Sequence, residues 1–252
     1  MTDRVNYDDH QWAVYEQGRR LSPERTDLWT RVFARYIDSA TRPTILDLGS
    51  GTGLYSELLA ESLAATVIGV EPSERMREVA EREHSHPRVR YVAGAAEQIP
   101  LPDDACDAAL LSNVLHHVPD IEACSTELKR VVRRGGLILV RGSLRGARVA
   151  FLDYFPAARL IALEQSPPAR DVIAAFTRNG FRHVETERIE QQTAPSLHAY
   201  YERVKLRAIS TLELISDAEF KAGIARMRRA ADWEESPRPV VEDVDLVVLS
   251  RD

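Results

Sequence analysis

The run ILDLGSGTG, Ile45 to Gly53, followed at once by LYSELLAESL, constrains this chain more than any other segment. An apolar stretch of strand character breaks into Gly49, Gly51 and Gly53 and restarts as a helix. Alternate glycines permit turn dihedrals closed to other residues and let a ligand approach without a Cβ in the way. At the carboxyl end of a parallel strand, such a turn brings bare backbone N–H groups against a ligand. Asp47 sits just before it.

Competing glycine motifs fail at single positions. A dinucleotide fingerprint needs glycine or a small residue at position 54, which is Leu54, and Leu54, Leu58 and Leu59 instead form an apolar stripe. An NAD-dependent oxidoreductase is therefore disfavoured, the more so as no separate catalytic domain with a clear proton donor follows. No Gly-Lys pair followed by Ser or Thr marks a P-loop. Ser50 is no nucleophile elbow either, because the position two before it is Leu48.

Two further units follow. Thr66 to Val70 reads as a buried strand ending in Glu71, then a helix with Met76, Val79 and Ala80 on one face. Glu71 falls about 20 residues after the glycines, where an α/β nucleotide-binding unit places its ribose carboxylate. Val89 to Asp120 reads as a strand, a Gly94-Ala95-Ala96-Glu97 turn, a proline-punctuated loop, and an apolar strand around Asp107 to Leu111 that ends in Ser112 and Asn113.

This combination resembles the class I S-adenosylmethionine-dependent methyltransferases, specifically a small-molecule branch similar to the quinone-biosynthesis methyltransferases. The resemblance covers roughly residues 40–190. It implies an α/β, Rossmann-like, doubly wound seven-stranded sheet, mostly parallel with an antiparallel last strand. It puts Asp47, Gly49, Ser50, Gly51 and Gly53 at the methionine end of the cofactor S-adenosyl-L-methionine, Glu71 on the ribose and Met76 beneath the adenine. Ala96 and Glu97 would flank the adenine, and Ser112 and Asn113 would lie near the sulfonium. The chain departs from the family at Ala95, where relatives often carry Asp for the adenine amino group; that role passes to Glu97 or to backbone. A non-catalytic scaffold or sensor that binds the cofactor is the alternative this departure keeps open.

The remaining elements complete a single enlarged domain over 1–252: a helical cap (1–40), a cofactor-binding core (41–190), a helical insertion (193–235) and a last strand (240–252). Asp120 to Arg134 reads as a helix stopped by Gly135-Gly136, where relatives usually have Leu-x-Pro-Gly-Gly, and the strand LILVR follows. Pro168 to Asn179 is another helix, closed by Gly180. His183 to Ile189 and Val244 to Leu249 read as strands. Within the insertion, Leu197, Tyr201, Val204 and Ala208 make one helical stripe. Phe220, Ile224 and Met227 make another, behind the capping box Ser216 and Glu219. The pair reads as a lid or substrate wall, or else as a packing or dimerisation hairpin that would make a homodimer.

Composition narrows the partners. With 33 basic against 39 acidic residues the net charge is −6, the wrong sign for tracking nucleic-acid phosphates. The cluster Arg226, Arg228 and Arg229 reads as a solvated helix face. No apolar run is long enough for a membrane span, and MTDRVNYDDHQW lacks a signal-peptide core, so a cytoplasmic protein is expected. Cys106 and Cys124 fall on buried elements and read as core residues, which leaves no metal site. The expected acceptor is a small molecule.

In the reaction that the resemblance implies, an acceptor atom attacks the methyl carbon in line. If the acceptor is a hydroxyl, His116 or His117 after the fourth strand is the candidate base. Arg141, Arg145 and Arg148, just beyond the fifth strand, are candidates for an anionic substrate group, or a solvated loop. Near the amino terminus, Tyr7, Trp12 and Tyr15 can close over the cofactor while Arg19 or Arg20 meets its carboxylate; the alternative is an amphipathic helix clamped on the sheet.

Overall fold

The computed structural model describes residue 18 and residues 20–252. Tyr7, Trp12, Tyr15 and Arg19 lie outside the described residues. Strands β1 (Thr44–Leu48), β2 (Thr66–Glu71), β3 (Val89–Ala93), β4 (Cys106–Ser112) and β5 (Val132–Gly142) run parallel. Strand β6 (Phe181–Ala194) and strand β7 (Val240–Arg251) follow, with β7 antiparallel to both β5 and β6. The seven-stranded order is β3-β2-β1-β4-β5-β7-β6. The expected doubly wound sheet with an antiparallel last strand is what the chain forms. The order reverses between β1 and β4, so the carboxyl ends of these neighbours open a crevice outside the sheet.

Burial alternates along each central strand and divides the core between the two faces. Ile45 of β1 and Ala108 and Leu110 of β4 pack on one face, while Leu46, Ala109 and Leu111 pack on the other. Strands covered on both sides read as continuous apolar runs, which is why β4 and β7 carry AALL and LVVL. Helix α1 (Pro23–Ala34) and helix α2 (Leu54–Ser62) cover the first face with Trp29, Phe33, Leu58 and Leu59. Helix α3 (Glu74–Glu83) connects β2 to β3. Helix α4 (Ile121–Val131) contributes Cys124 and Leu128 to the opposite face.

Helix α5 (Pro156–Gln165) lies in a stretch that carries no clear periodicity. Helix α6 (Ala169–Arg178) follows, with Val172 and Phe176 inward as its spacing requires. Gly180 then turns the chain into β6 at φ +83°. The insertion forms helices α7 (Leu197–Val204), α8 (Ser210–Glu213) and α9 (Asp217–Asp232), and the capping box at Ser216 and Glu219 is made in full. Together with Phe151, Phe155 and Ala158 these helices build a third apolar cluster.

Several local readings are corrected or extended. Helix α4 ends at Val131, not at the glycine pair, because Val132 takes extended dihedrals and pairs with Cys106. Gly135 and Gly136 fall inside β5, where the register with β4 shifts; a Cβ at Gly136 would lie 2.7 Å from Asp107 O. In α7 Tyr201 packs half-buried against the third cluster as its spacing implies, but Tyr200, outside that stripe, is the more deeply buried and reaches across to Glu242. Arg226 is only half-solvated, unlike Arg228 and Arg229: its Nε and Nη2 donate to Tyr154 O at 2.9 and 2.7 Å.

Candidate functional site

The glycine turn leaves β1 at the point where the strand order reverses. Gly49, Gly51 and Gly53 adopt φ of +71°, +55° and +90°, left-handed dihedrals that favour glycine. Packing adds a second constraint: a Cβ on Gly49 would lie 1.9 Å from Val114 Cγ2, and one on Gly53 would lie 2.2 Å from the Tyr91 hydroxyl. The expectation of bare backbone N–H groups is corrected. Gly49 N and Ser50 N donate to Val70 O at 2.7 and 3.2 Å, and Gly53 N donates to Ser50 O at 3.0 Å. Gly51 N donates to Glu71 Oε2 at 3.0 Å. These amides brace the turn, so polar side chains must supply more of the recognition.

Glu71, at the end of β2, is buried and also accepts from Ser73 N at 3.0 Å. Its carboxylate thus joins the glycine turn to the start of α3. Ser73 caps that helix by accepting from Met76 N, and Met76 is buried in its first turn. Beyond β3, the Ala95–Gln98 bridge forms a tight turn that presents Ala96 and Glu97 at the same edge of the sheet. Glu97 accepts from Asp120 N at 3.3 Å and so leans toward the cap of α4.

Asp47 is 1% exposed and accepts from Ser56 Oγ at 2.6 Å. Burial pushes its carboxyl up to about 7; the Ser56 hydrogen bond opposes this and the nearby Glu71 charge adds to it. Asp47, Gly49, Ser50, Thr52 and Leu54 form one side of a narrow pocket, and Ser112, Asn113 and Arg141 form the other. Arg25 and Tyr55 complete it. Asn113 holds φ +55° while its N–H donates to Arg141 O at 2.7 Å, so the end of β4 is pinned to β5.

Arg25 and Tyr55 were not picked out by sequence reasoning. Arg25 is 8% exposed, and its Nε is buried without a hydrogen-bond partner among the described residues, as are Ser50 Oγ and Tyr55 Oη. An unsatisfied buried polar group costs about 1–3 kcal/mol, so three such groups around one pocket suit a polar ligand. No local signal distinguishes Arg25 from any other arginine in a first helical turn. Only the docking of α1 through Trp29, whose Nε1 donates to Gln191 Oε1 at 3.0 Å, carries it to the crevice.

A larger cavity of about 400 Å³ adjoins this pocket and shares Arg25, Asn113 and Arg141 with it. Val204, Ala208 and Ile209 of the insertion line one side, and Phe151 and Leu152 line another. His116 lies on its wall, in the 3₁₀ turn Leu115–His117. The His117 ring lies 3.9 Å from that of His116 at a tilt of 47°, and His117 is not part of the lining. At the far end Tyr200 Oη donates to Glu242 Oε1 at 2.5 Å, and Glu242 also accepts from Ala150 N and Thr193 Oγ1.

The three arginines after the fifth strand do not converge. Arg141 belongs to β5, is 2% exposed, and stacks over Trp29 and Tyr55 at 4.1 and 4.8 Å. It donates to Ser112 Oγ and Gln191 Oε1, both at 3.2 Å. Arg145 lines the cavity. Arg148 points away to Glu190 at 2.8 Å and Asp243 at 3.6 Å, outside the cavity lining. Cys106 and Cys124 are buried core residues whose thiols burial pushes up to about 12, which makes them unreactive near neutral pH.

A family model described as a methyltransferase domain matches residues 46–140. An uncharacterized methyltransferase of Mycobacteroides abscessus is 33% identical over 142 residues, 53% of this chain and 53% of that one. A ubiquinone biosynthesis O-methyltransferase of Rhizobium etli is 35% identical over 119 residues, 46% of this chain and 48% of that one. The chain thus spans about half the length of the curated relatives it matches. A putative methyltransferase from an antibiotic biosynthesis pathway of Anabaena variabilis superposes with TM-score 0.74 at 23% identity, covering 88% of this chain and 96% of that one. The [4+2]-cyclase SpnF superposes with TM-score 0.63 at 20% identity, covering 93% and 84%. These two show the fold alone.

Sheet order, glycine turn and domain match together make residues 46–140 a class I S-adenosylmethionine-dependent methyltransferase domain. Over this segment the relatives include ubiquinone biosynthesis O-methyltransferases, to which the chain is similar over about half its length. Among the described residues, no helix is long and apolar enough to cross a membrane.

Proposed function

We propose that this chain binds S-adenosylmethionine along the carboxyl edge of β1, β2 and β4 and methylates a small molecule held in the adjoining cavity. One observation carries the reading: the pocket that gathers Arg25, Asp47, Ser50 and Tyr55 meets the 400 Å³ cavity at Asn113 and Arg141. When bound, the sulfonium supplies an activated methyl group with a neutral thioether as leaving group. The chain's own task is to align the acceptor and exclude water.

The residues present fit that cofactor. Arg25 offers a guanidinium for its carboxylate, and Asp47 and Ser50 offer oxygens for its ammonium. Glu71, a carboxylate at the end of β2, is the charged acceptor for the ribose hydroxyls. In this reading Met76, Ala96 and Glu97 surround the adenine, and Ser112 and Asn113, which line the pocket, take the sulfonium end. His116, which lines the cavity as Asn113 does, is the base if the acceptor is a hydroxyl; the His117 ring packs against it.

Calorimetric titration tests the cofactor directly. The expected result is binding of S-adenosylmethionine and S-adenosylhomocysteine without binding of NAD. Arg25→Gln should weaken both by about tenfold, through loss of a charge-assisted hydrogen bond worth about 1.5 kcal/mol. Binding of NAD in place of either, or unchanged binding by the variant, would overturn the assignment. Release of S-adenosylhomocysteine on incubation with a metabolite extract would establish turnover, whereas binding without turnover would favour the scaffold.

Asp47 gives that affinity a pH dependence. A carboxyl raised from 3.8 to about 7 in the folded protein stays protonated through weakly acidic pH. Because burial dominates this shift, the native state binds more protons than the unfolded chain between about pH 4 and pH 7, so stability falls as pH rises through that window. A ligand ammonium selects the ionised form. Affinity for S-adenosylhomocysteine should therefore climb, by up to about tenfold per pH unit, as pH approaches about 7 from below. Asp47→Asn should flatten the slope; a slope that persists in that variant would assign it to another group.

A further inference from the structure

The large cavity carries the opposite charge from the rest of the protein. Arg25, Arg141, Arg145, Arg159 and Arg203 line it against Glu242 and Asp243, in a chain whose net charge is −6. A cleft lined by one sign of charge concentrates ligands of the other sign. Five arginines against two acids still leave the lining with a positive surplus. Glu242 is occupied by three donors, Ala150 N, Thr193 Oγ1 and Tyr200 Oη, and Asp243 accepts from Arg148 N.

The arginines are not equivalent. Arg159 is paired with Asp153. Arg141 is enclosed by Trp29 and Tyr55, and Arg203 spans to Thr193 O and Gly18 O. Arg25 belongs to the cofactor pocket as well. Arg145 stands at the exposed rim and donates to two neutral carbonyls, Ser166 O at 3.3 Å and Leu163 O at 3.1 Å. It pairs with no carboxylate among the described residues. Gly146 beside it, at φ +92°, sets the course of this rim. The same cavity is lined in part by apolar side chains, among them Leu144, Phe151 and Leu163.

Resting on the methyltransferase reading, we infer that the acceptor is an amphipathic anion, with an apolar body along the cavity wall and a carboxylate or phosphate held at the rim by Arg145. A guanidinium fork suits either group. Carbonyl partners give up the fork at little cost, because they remain accessible to water at the rim. The anion would then anchor the far end of the acceptor and leave its nucleophile free at the end shared with the cofactor pocket.

The test is calorimetric titration of the full chain, saturated with S-adenosylhomocysteine, with octanoate, octyl phosphate, octanol and octylamine. One of the two anions should bind at least about tenfold more tightly than octanol; which anion does so tells carboxylate from phosphate. Arg145→Gln should remove that preference and leave S-adenosylhomocysteine affinity unchanged, while Arg148→Gln, outside the cavity, should keep it. Octanol or octylamine binding as tightly as the anions, no detectable binding of either anion, or a preference that survives in Arg145→Gln would overturn the inference. Failure of the wild type to bind S-adenosylhomocysteine would overturn the cofactor reading instead, and the ratio of anion to alcohol, measured without it, still decides the acceptor class.

Discussion

Glu71→Ala is expected to lower S-adenosylmethionine affinity by more than tenfold and to weaken the fold at the same time. The carboxylate accepts from Gly51 N and Ser73 N at 3.0 Å each, so it braces the glycine turn from inside besides facing the proposed ribose site. Removing it strands the Gly51 amide and leaves the ribose hydroxyls without a charged acceptor. Each loss is worth about 1.5–3 kcal/mol for bonds to a charged group. Titration calorimetry reads the first effect and urea denaturation the second. Glu71→Gln separates them, because an amide oxygen can still accept from one N–H while the charge is gone. Normal affinity in Glu71→Ala would detach this residue from the cofactor.

Gly49→Val should cost more in stability than any other single change in the turn, about 2–5 kcal/mol, because conformational strain and overlap add. The position holds φ +71°, and the new Cβ would lie 1.9 Å from Val114 Cγ2. Val114 follows the Ser112-Asn113 end of β4, so relief of the overlap must move the wall shared by pocket and cavity. Cofactor binding should be lost even where folding survives. Gly135→Ala is the matched control: φ is +76° there, but nothing lies within 4 Å of the added Cβ, so only about 1–2 kcal/mol of left-handed strain is expected. Equal losses in the two variants, read from chemical denaturation, would show that overlap contributes nothing at Gly49.

Much of the site edge was legible because its signals are local. The strand at Thr44–Leu48, the three glycines and the helix after them are contiguous, and each glycine is favoured by its own dihedral. Glu71 was legible for a related reason: one crossover of ordinary length separates it from the turn, and parallel pairing of β1 with β2 places the two strand ends side by side. Helix α6 and the capping box of α9 likewise follow from spacing within a few residues. The stop of α4 was misplaced because its glycine pair serves the β5 register, a requirement set by the neighbouring strand at Asp107 O rather than by the helix.

The arginines mark the boundary of what sequence can decide. From the chain alone, Arg141, Arg145 and Arg148 form one pliable group, yet they end respectively in a buried aromatic clasp, at a cavity rim and on an outer ion pair. Arg25 stands far away in sequence and still reaches the same pocket as Arg141. A long side chain can point almost anywhere its stem allows, so its destination is fixed by what packs around it. Here α1 docks through Trp29 on Gln191 of β6, and α7 locks Tyr200 onto Glu242 of β7; each joins segments remote in sequence. The sequence by itself determined the sheet edge, the glycine turn and the class of cofactor domain, because those rest on local dihedrals and strand order. Which cations face the ligand, and the cavity in which the acceptor would lie, were decided by tertiary packing alone.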